Sequence, residues 1–156
     1  MNIKTNCTQY YFIERIVCLI LIATSSACII RDVDELTFTA PYANIIGNEY
    51  RTIAEVNAYG IYNNLYKKEV SFITLIPGVG IAGPEVAFKR KIAKGQKIKI
   101  LGAWRKHKFL TDDVYYDVAL QDTDSPRDIQ IQIELSRGNE GADAELNSGV
   151  YEKLAK

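Results

Sequence analysis

Between Ile129 and Leu135 the chain alternates without a break, with Ile129, Ile131, Ile133 and Leu135 on one side and Gln130, Gln132 and Glu134 on the other. Successive side chains leave an extended backbone on opposite faces, so this pattern specifies a strand with one face in a core and the other in water. The same period recurs upstream. Tyr50, Thr52, Ala54, Val56 and Ala58 alternate with Arg51, Ile53, Glu55 and Asn57, which predicts one strand closed by Gly60 and Asn63-Asn64. Phe72 to Ile76 is a short apolar run stopped by Pro77-Gly78, and Val86 and Phe88 alternate with Ala87 and Lys89. Ile98 and Ile100 alternate with Lys97 and Lys99, and Val114, Tyr116, Val118 and Leu120 with Tyr115, Asp117 and Ala119. Strands at this spacing, with no helix-period segment between them, predict a mainly β domain over residues 49–156 whose antiparallel sheet rolls into a small barrel or sandwich. The tail departs from the pattern. Leu146, Val150 and Leu154 fall four apart beside Tyr151, which predicts a short C-terminal helix from Ser148 to Ala155.

The other end of the chain reads as an address. A charged flank at Arg15, an apolar run from Ile16 to Ala23, and then small residues up to Cys28 have the three-part layout of a secretory signal, so residues 1–27 are expected to be a signal peptide. The run is too short for the ~20 residues of a bilayer-spanning helix. Ser25-Ser26-Ala27-Cys28 resembles the lipobox of bacterial lipoproteins, with Ser25 where leucine is usual. The resemblance implies cleavage before Cys28, acylation of its thiol and attachment to a membrane of the bacterial envelope. Ile29 is not the aspartate that resembles an inner-membrane retention signal, which favours the outer membrane facing the periplasm. Residues 28–48 carry Asp32, Asp34 and Glu35, then Pro41, Asn44, Gly47 and Asn48, and read as a lipid-anchored tether with a short strand from Leu36 to Thr39. Cys7 and Cys18 leave with the signal, so the mature chain keeps Cys28 alone and forms no internal disulfide. The competing reading is a cytosolic chain with three buried cysteines.

Bulk charge points to no polyanion. The chain carries 19 basic and 19 acidic residues, and removing Lys4, Glu14 and Arg15 with the signal leaves 17 and 18. Nine of those 17 basic residues nevertheless lie between Lys89 and Lys108. Two readings follow from this clustering. Alternating lysines are the wet face of a strand pair, or Lys89, Arg90, Lys97, Lys99, Arg105 and Lys106, interleaved with Phe88, Trp104 and Phe109, form an anion-binding face. An exported protein would meet anionic headgroups, wall polymers or an acidic protein there, and no nucleic acid. Asp112, Asp113, Asp117, Asp122, Asp124 and Asp128 follow directly and can neutralise the stretch across the sheet.

Catalytic chemistry has little to stand on. Gly78-Val-Gly80-Ile-Ala-Gly83 matches the dinucleotide fingerprint, but the pattern after Pro84 has period two rather than a helical period, and no acid follows at the ribose position. It reads as a loop with an apolar apex, folded onto the core or offered to a partner. His107 is the only histidine, and the cations Arg105, Lys106 and Lys108 around it would lower its proton affinity, so it reads as a solvated loop residue. Asp112 and Asp113 would point to opposite faces of a strand and so make a poor carboxylate pair. No cofactor or metal site is implied, and the chain is not expected to be an enzyme.

Three segments carry a second resemblance: Val56-Asn-Ala-Tyr-Gly-Ile-Tyr62, then Gly83-Pro84, then Ile92-Ala-Lys-Gly-Gln-Lys-Ile-Lys-Ile-Leu-Gly102. Together they are similar to bacterial SH3-like domains, and they imply a small SH3-like barrel that binds cell-wall material or peptides. Two functions fit these features. One is a membrane-anchored, non-catalytic module that binds a cell-wall polymer or an envelope protein. The other is an inhibitor or immunity lipoprotein that blocks a secreted or injected hydrolase with the loop Val79, Gly80, Ile81, Ala82 and Gly83.

Overall fold

The structure is a computed structural model and describes residues 33–62, 64–66, 68–121 and 129–155. The signal peptide, Cys28 and the first residues of the expected tether lie outside the described residues, as do Asp122, Asp124 and Asp128. The described chain is mainly β, in nine strands: β1 (Val33–Glu35), β2 (Glu49–Thr52), β3 (Val56–Tyr62), β4 (Val70–Pro77), β5 (Val86–Ile92), β6 (Lys97–His107), β7 (Asp112–Leu120), β8 (Gln130–Glu134) and β9 (Tyr151–Lys153). They form one sheet in the order β5-β3-β4-β8-β7-β6-β2-β9, with β1 on the far half of β6.

This path is open, ending at β5 and β9, yet two short links tie its opposite ends. Residues 53–55 join β2 to β3 and residues 93–96 join β5 to β6, so the sheet has to coil to bring these strands together. Thr52 pins the two links side by side. Its N–H donates to the Gln96 carbonyl (3.0 Å), its hydroxyl donates to the Ala93 carbonyl (2.9 Å) and accepts from the Gln96 N–H (3.1 Å), and its carbonyl accepts from the Gly95 N–H (2.8 Å). The inside of the coil is the core: Val56 and Ala58, Ile73 and Leu75, Ile98 and Ile100, Tyr116 and Val118, Ile131 and Ile133 alternate inward from their strands.

Five expectations change. The strand predicted from Tyr50 to Ala58 is two strands, because residues 53–55 turn the corner; the parity survives the turn, with Tyr50, Thr52, Val56 and Ala58 all buried. The sheet is not antiparallel throughout. β3 to β5 and β6 to β8 are two antiparallel groups, and they join through β4 and β8 in parallel, with Ile73 opposite Ile131, a direction that period two does not encode.

The expected tether is part of the domain from Val33 onward. β1 pairs with β6, the Leu36 N–H donates to the Ala103 carbonyl (2.8 Å), and Leu36 and Ile45 are buried, so these apolar side chains close the core rather than space it from a membrane. Leu36 to Thr39 turns instead of extending, with the Thr39 N–H on the Leu36 carbonyl (2.9 Å). The C-terminal helix is absent as well. Asn147 makes a turn, its side chain accepting from the Gly149 N–H (2.9 Å), and Tyr151–Lys153 then pairs with β2. Leu146, Val150 and Tyr151 are buried from either side of that turn, which reproduces a four-residue spacing without a helix.

Candidate functional site

β4 and β5 lie on either side of β3 and both run antiparallel to it. The connection between them, residues 78–85, must therefore travel back along β3 from the level of Val56 to that of Ile61, about 17 Å at strand rise. It does so over the outer face, which is why β3 is buried on both sides. Asn57 and Tyr59, the outward residues, lie under the crossover: the Asn57 amide donates to the Gly78 carbonyl (3.1 Å), and Gly80 rests on the Tyr59 phenol so closely that a Cβ there would overlap the hydroxyl. The glycines of the dinucleotide-like stretch thus serve a close backbone approach and, at Gly78 (φ +65°), a left-handed turn. Val79 stands free at 99 % exposure, while Ile81 turns toward the sheet.

Beside this crossover the outer face holds a cleft of about 460 Å³, within the size range of small-ligand sites. Its floor crosses three strands, with Thr74 on β4, Gln132 on β8 and Tyr115 on β7. Phe72 and Ile61 supply apolar wall, and Ile81 and Glu85 belong to the crossover side. Lys106 and Val33, paired across β6 and β1, stand on the opposite side. Most of the charges nearby neutralise each other: Lys108 with Asp113, and Arg137 with Glu134 (2.7 Å).

The floor contains an unfinished contact. Thr74 is only 5 % exposed and its hydroxyl has no hydrogen-bond partner among the described residues, although buried hydroxyls are as a rule paired. Under the crossover, the Asn57 side-chain oxygen is likewise unpaired among the described residues. Two strands from Thr74, on β7, Asp117 accepts from the Trp104 indole N–H (2.7 Å) and from the Gln130 amide; burial raises its proton affinity against those two hydrogen bonds.

The expected anion-binding residues are not brought together. Lys89 lies over the Tyr59 ring (5.5 Å), Arg90 stands on the edge strand β5, and Lys97 and Lys99 project beside Arg51 and Glu49 of β2. Arg105 points toward Asp112 (4.0 Å), and only Lys106 reaches the cleft. Of the loop residues Val79 to Gly83, Ile81 lines the cleft.

His107 is solvent-exposed as expected, but it is the last residue of strand β6 rather than a loop residue. Its Nε2 meets Asp34 and its Nδ1 meets Asp112, both at 2.9 Å, and these carboxylates, Asp34 foremost, raise its pKa above the usual histidine value. The cations next to it in sequence are outweighed by the acids beside it on neighbouring strands. Asp112 and Asp113 do separate to opposite faces, the first with His107 and the second with Lys108 in the cleft.

Thr74, Gln132 and Glu85 were not singled out as site residues by sequence reasoning, whereas Tyr115 is one of the chain's ten tyrosines, a residue type suited to a recognition surface. The available signals were the polar face of β8 and the lone hydroxyl inside the apolar run from Phe72 to Ile76. Among the described residues, no group of three or more His, Cys, Asp or Glu side chains is placed to hold a metal ion, and no helix is long and apolar enough to cross a membrane. Comparison of the chain with protein-family models, curated proteins and solved structures finds no match in any of the three.

Proposed function

We propose that this protein is a non-catalytic binding module of the bacterial cell envelope, cleaved after residue 27, held on the membrane by lipid on Cys28, and using the outer-face cleft to hold a cell-wall component or a segment of an envelope protein. The observation that carries this reading is the buried, unpartnered Thr74 hydroxyl in the floor of a 460 Å³ cleft, since an unmade hydrogen bond in a concave site favours a ligand that supplies it. The SH3-like relationship belongs to the same proposal: its three segments fall on β3, on the crossover, and on the β5–β6 link with the first half of β6. Cys28→Ser should leave an unprocessed precursor that no palmitate analogue labels. Full-length protein in mild detergent should co-sediment with purified sacculi, and Thr74→Val with Gln132→Ala should reduce that retention while leaving the melting transition in place. Retention unaffected by both substitutions would remove the cleft from the function.

One observation favours the inhibitor reading as a second possibility. Val79 is fully exposed on a crossover held down at Gly78 and Gly80, a rigid apolar tip suited to entering an enzyme cleft. Tight one-to-one capture of a secreted hydrolase that is lost in Val79→Asp would support it.

A further inference from the structure

The cleft is flanked by one charge of each sign that is left unused among the described residues. Glu85 on the crossover and Lys106 on β6 make no side-chain hydrogen bond or ion pair among the described residues, although their charged neighbours Asp113, Lys108, Glu134 and Arg137 are all paired. They stand at opposite corners. Glu85 lies at the β5 end of the crossover, where its carbonyl accepts from the Tyr62 N–H (2.9 Å), whereas Lys106 lies strands away, opposite Asp113 and Val33. Between them the floor keeps polar capacity of both kinds. The half-buried Gln132 amide, a donor and an acceptor, makes no side-chain hydrogen bond among the described residues, and the Thr74 hydroxyl is unpartnered. The Phe72 and Tyr115 rings supply the apolar contact.

We infer that the cleft binds a short unblocked peptide, its ammonium end toward Glu85 and its carboxylate end toward Lys106, with its amides on Gln132 and Thr74. This rests on the reading of the cleft as the ligand site given above. Opposite free charges at the two corners suit a molecule with one charge at each end, and donor-acceptor groups between them suit peptide units. A neutral glycan would use the floor and neither charge.

The test uses full-length protein in mild detergent and four probes: a pool of unblocked tetrapeptides, the same pool N-acetylated, the same pool C-amidated, and an N-acetylglucosamine tetramer. Retention is read by ultrafiltration and mass spectrometry, and affinity by calorimetry on the retained peptides. Unblocked peptides should be retained, and each block should weaken binding about two- to fivefold, the scale of one solvent-exposed ion pair. Glu85→Gln should abolish the difference between free and acetylated peptides only, and Lys106→Gln the difference between free and amidated peptides only. Both side chains are exposed, so the melting transition should not move. Equal binding of blocked and unblocked peptides would overturn the inference. Retention of the glycan without the peptides would overturn it while leaving the cleft a ligand site, and retention of no probe would count against both.

Discussion

The two faces of the same strands treat polar groups differently. Inside the coil, Asn139 is fully buried and fully used: its amide donates to the carbonyls of Leu75 (3.2 Å) and Glu134 (2.8 Å), and its oxygen accepts from the Tyr151 hydroxyl (2.8 Å). The Tyr116 hydroxyl donates to the Ala144 carbonyl and that of Tyr50 to Glu145, and burial pushes the proton affinity of all three tyrosines upward. On the outer face, Thr74 and Asn57 each keep a buried oxygen with no partner among the described residues. Among the described residues the inner face is completed by the chain itself, whereas the outer face stops short of completion at Thr74 in the cleft and at Asn57 under the crossover. A buried polar group left unmet costs free energy in the empty protein, so the asymmetry marks the face on which binding can recover it.

The sharpest way to break this comparison is to truncate adjacent residues of β8. Ile133→Ala should cost about 2 to 5 kcal/mol through lost burial and a residual cavity, and Gln132→Ala should stay within roughly 0.5 kcal/mol, read by chemical denaturation. Equal losses would mean that β8 is buried on both faces. Asn139→Ala comes next, at about 2 to 3 kcal/mol, because it strands the Leu75 carbonyl and the Tyr151 hydroxyl in the interior. A loss near zero would show that water replaces the amide and that the inner network is not closed.

Gly80→Ala tests how tightly the crossover is seated, and we expect a cost of about 1 to 3 kcal/mol as the new methyl group displaces the loop from Tyr59. A neutral result would place Tyr59 in a site with room to move. Thr74→Val should have the opposite character: the free protein should be unchanged or up to about 1 kcal/mol more stable, since an unpaired hydroxyl is removed at nearly constant volume. Destabilisation by this variant would reveal a partner for the hydroxyl and undo the contrast between the faces.

The smallest effect concerns the rim. His107 is held above its ordinary pKa by Asp34 and then Asp112, so the stability it adds is complete below about pH 6.5 and is lost as pH rises through the folded value. Denaturation midpoints should therefore fall slightly across that window, less at high salt, and Asp34→Asn should flatten the trend. A midpoint that rises with pH there would reverse the assignment.

How much of this was legible beforehand varies by element. The inward residues of β7, β8 and the first half of β6 were read from alternation alone, because period two is a local property of an extended backbone; past Ile100 a shift in register flips the parity of β6 and buries Ala103, which alternation does not express. The same logic located the apolar crossover between β4 and β5, although not the reason for Gly80, which lies in Tyr59, some twenty residues earlier in the chain. The C-terminal helix failed because a four-residue spacing is also produced by two extended segments around the Asn147 turn, and only pairing with β2 separates the cases.

Long-range placement decided everything that alternation cannot express. The parallel join of β4 to β8, the acids around His107 and the docking of residues 33–48 against β6 each bring together residues far apart in the chain. The cleft is the extreme case, drawing Val33, Thr74, Glu85, Lys106 and Gln132 onto one surface. The local pattern of a sequence states which side of a strand is wet. Which strands lie side by side, and so which wet residues share a site, is set by how the sheet closes over its core, a choice made by the packing of the whole chain.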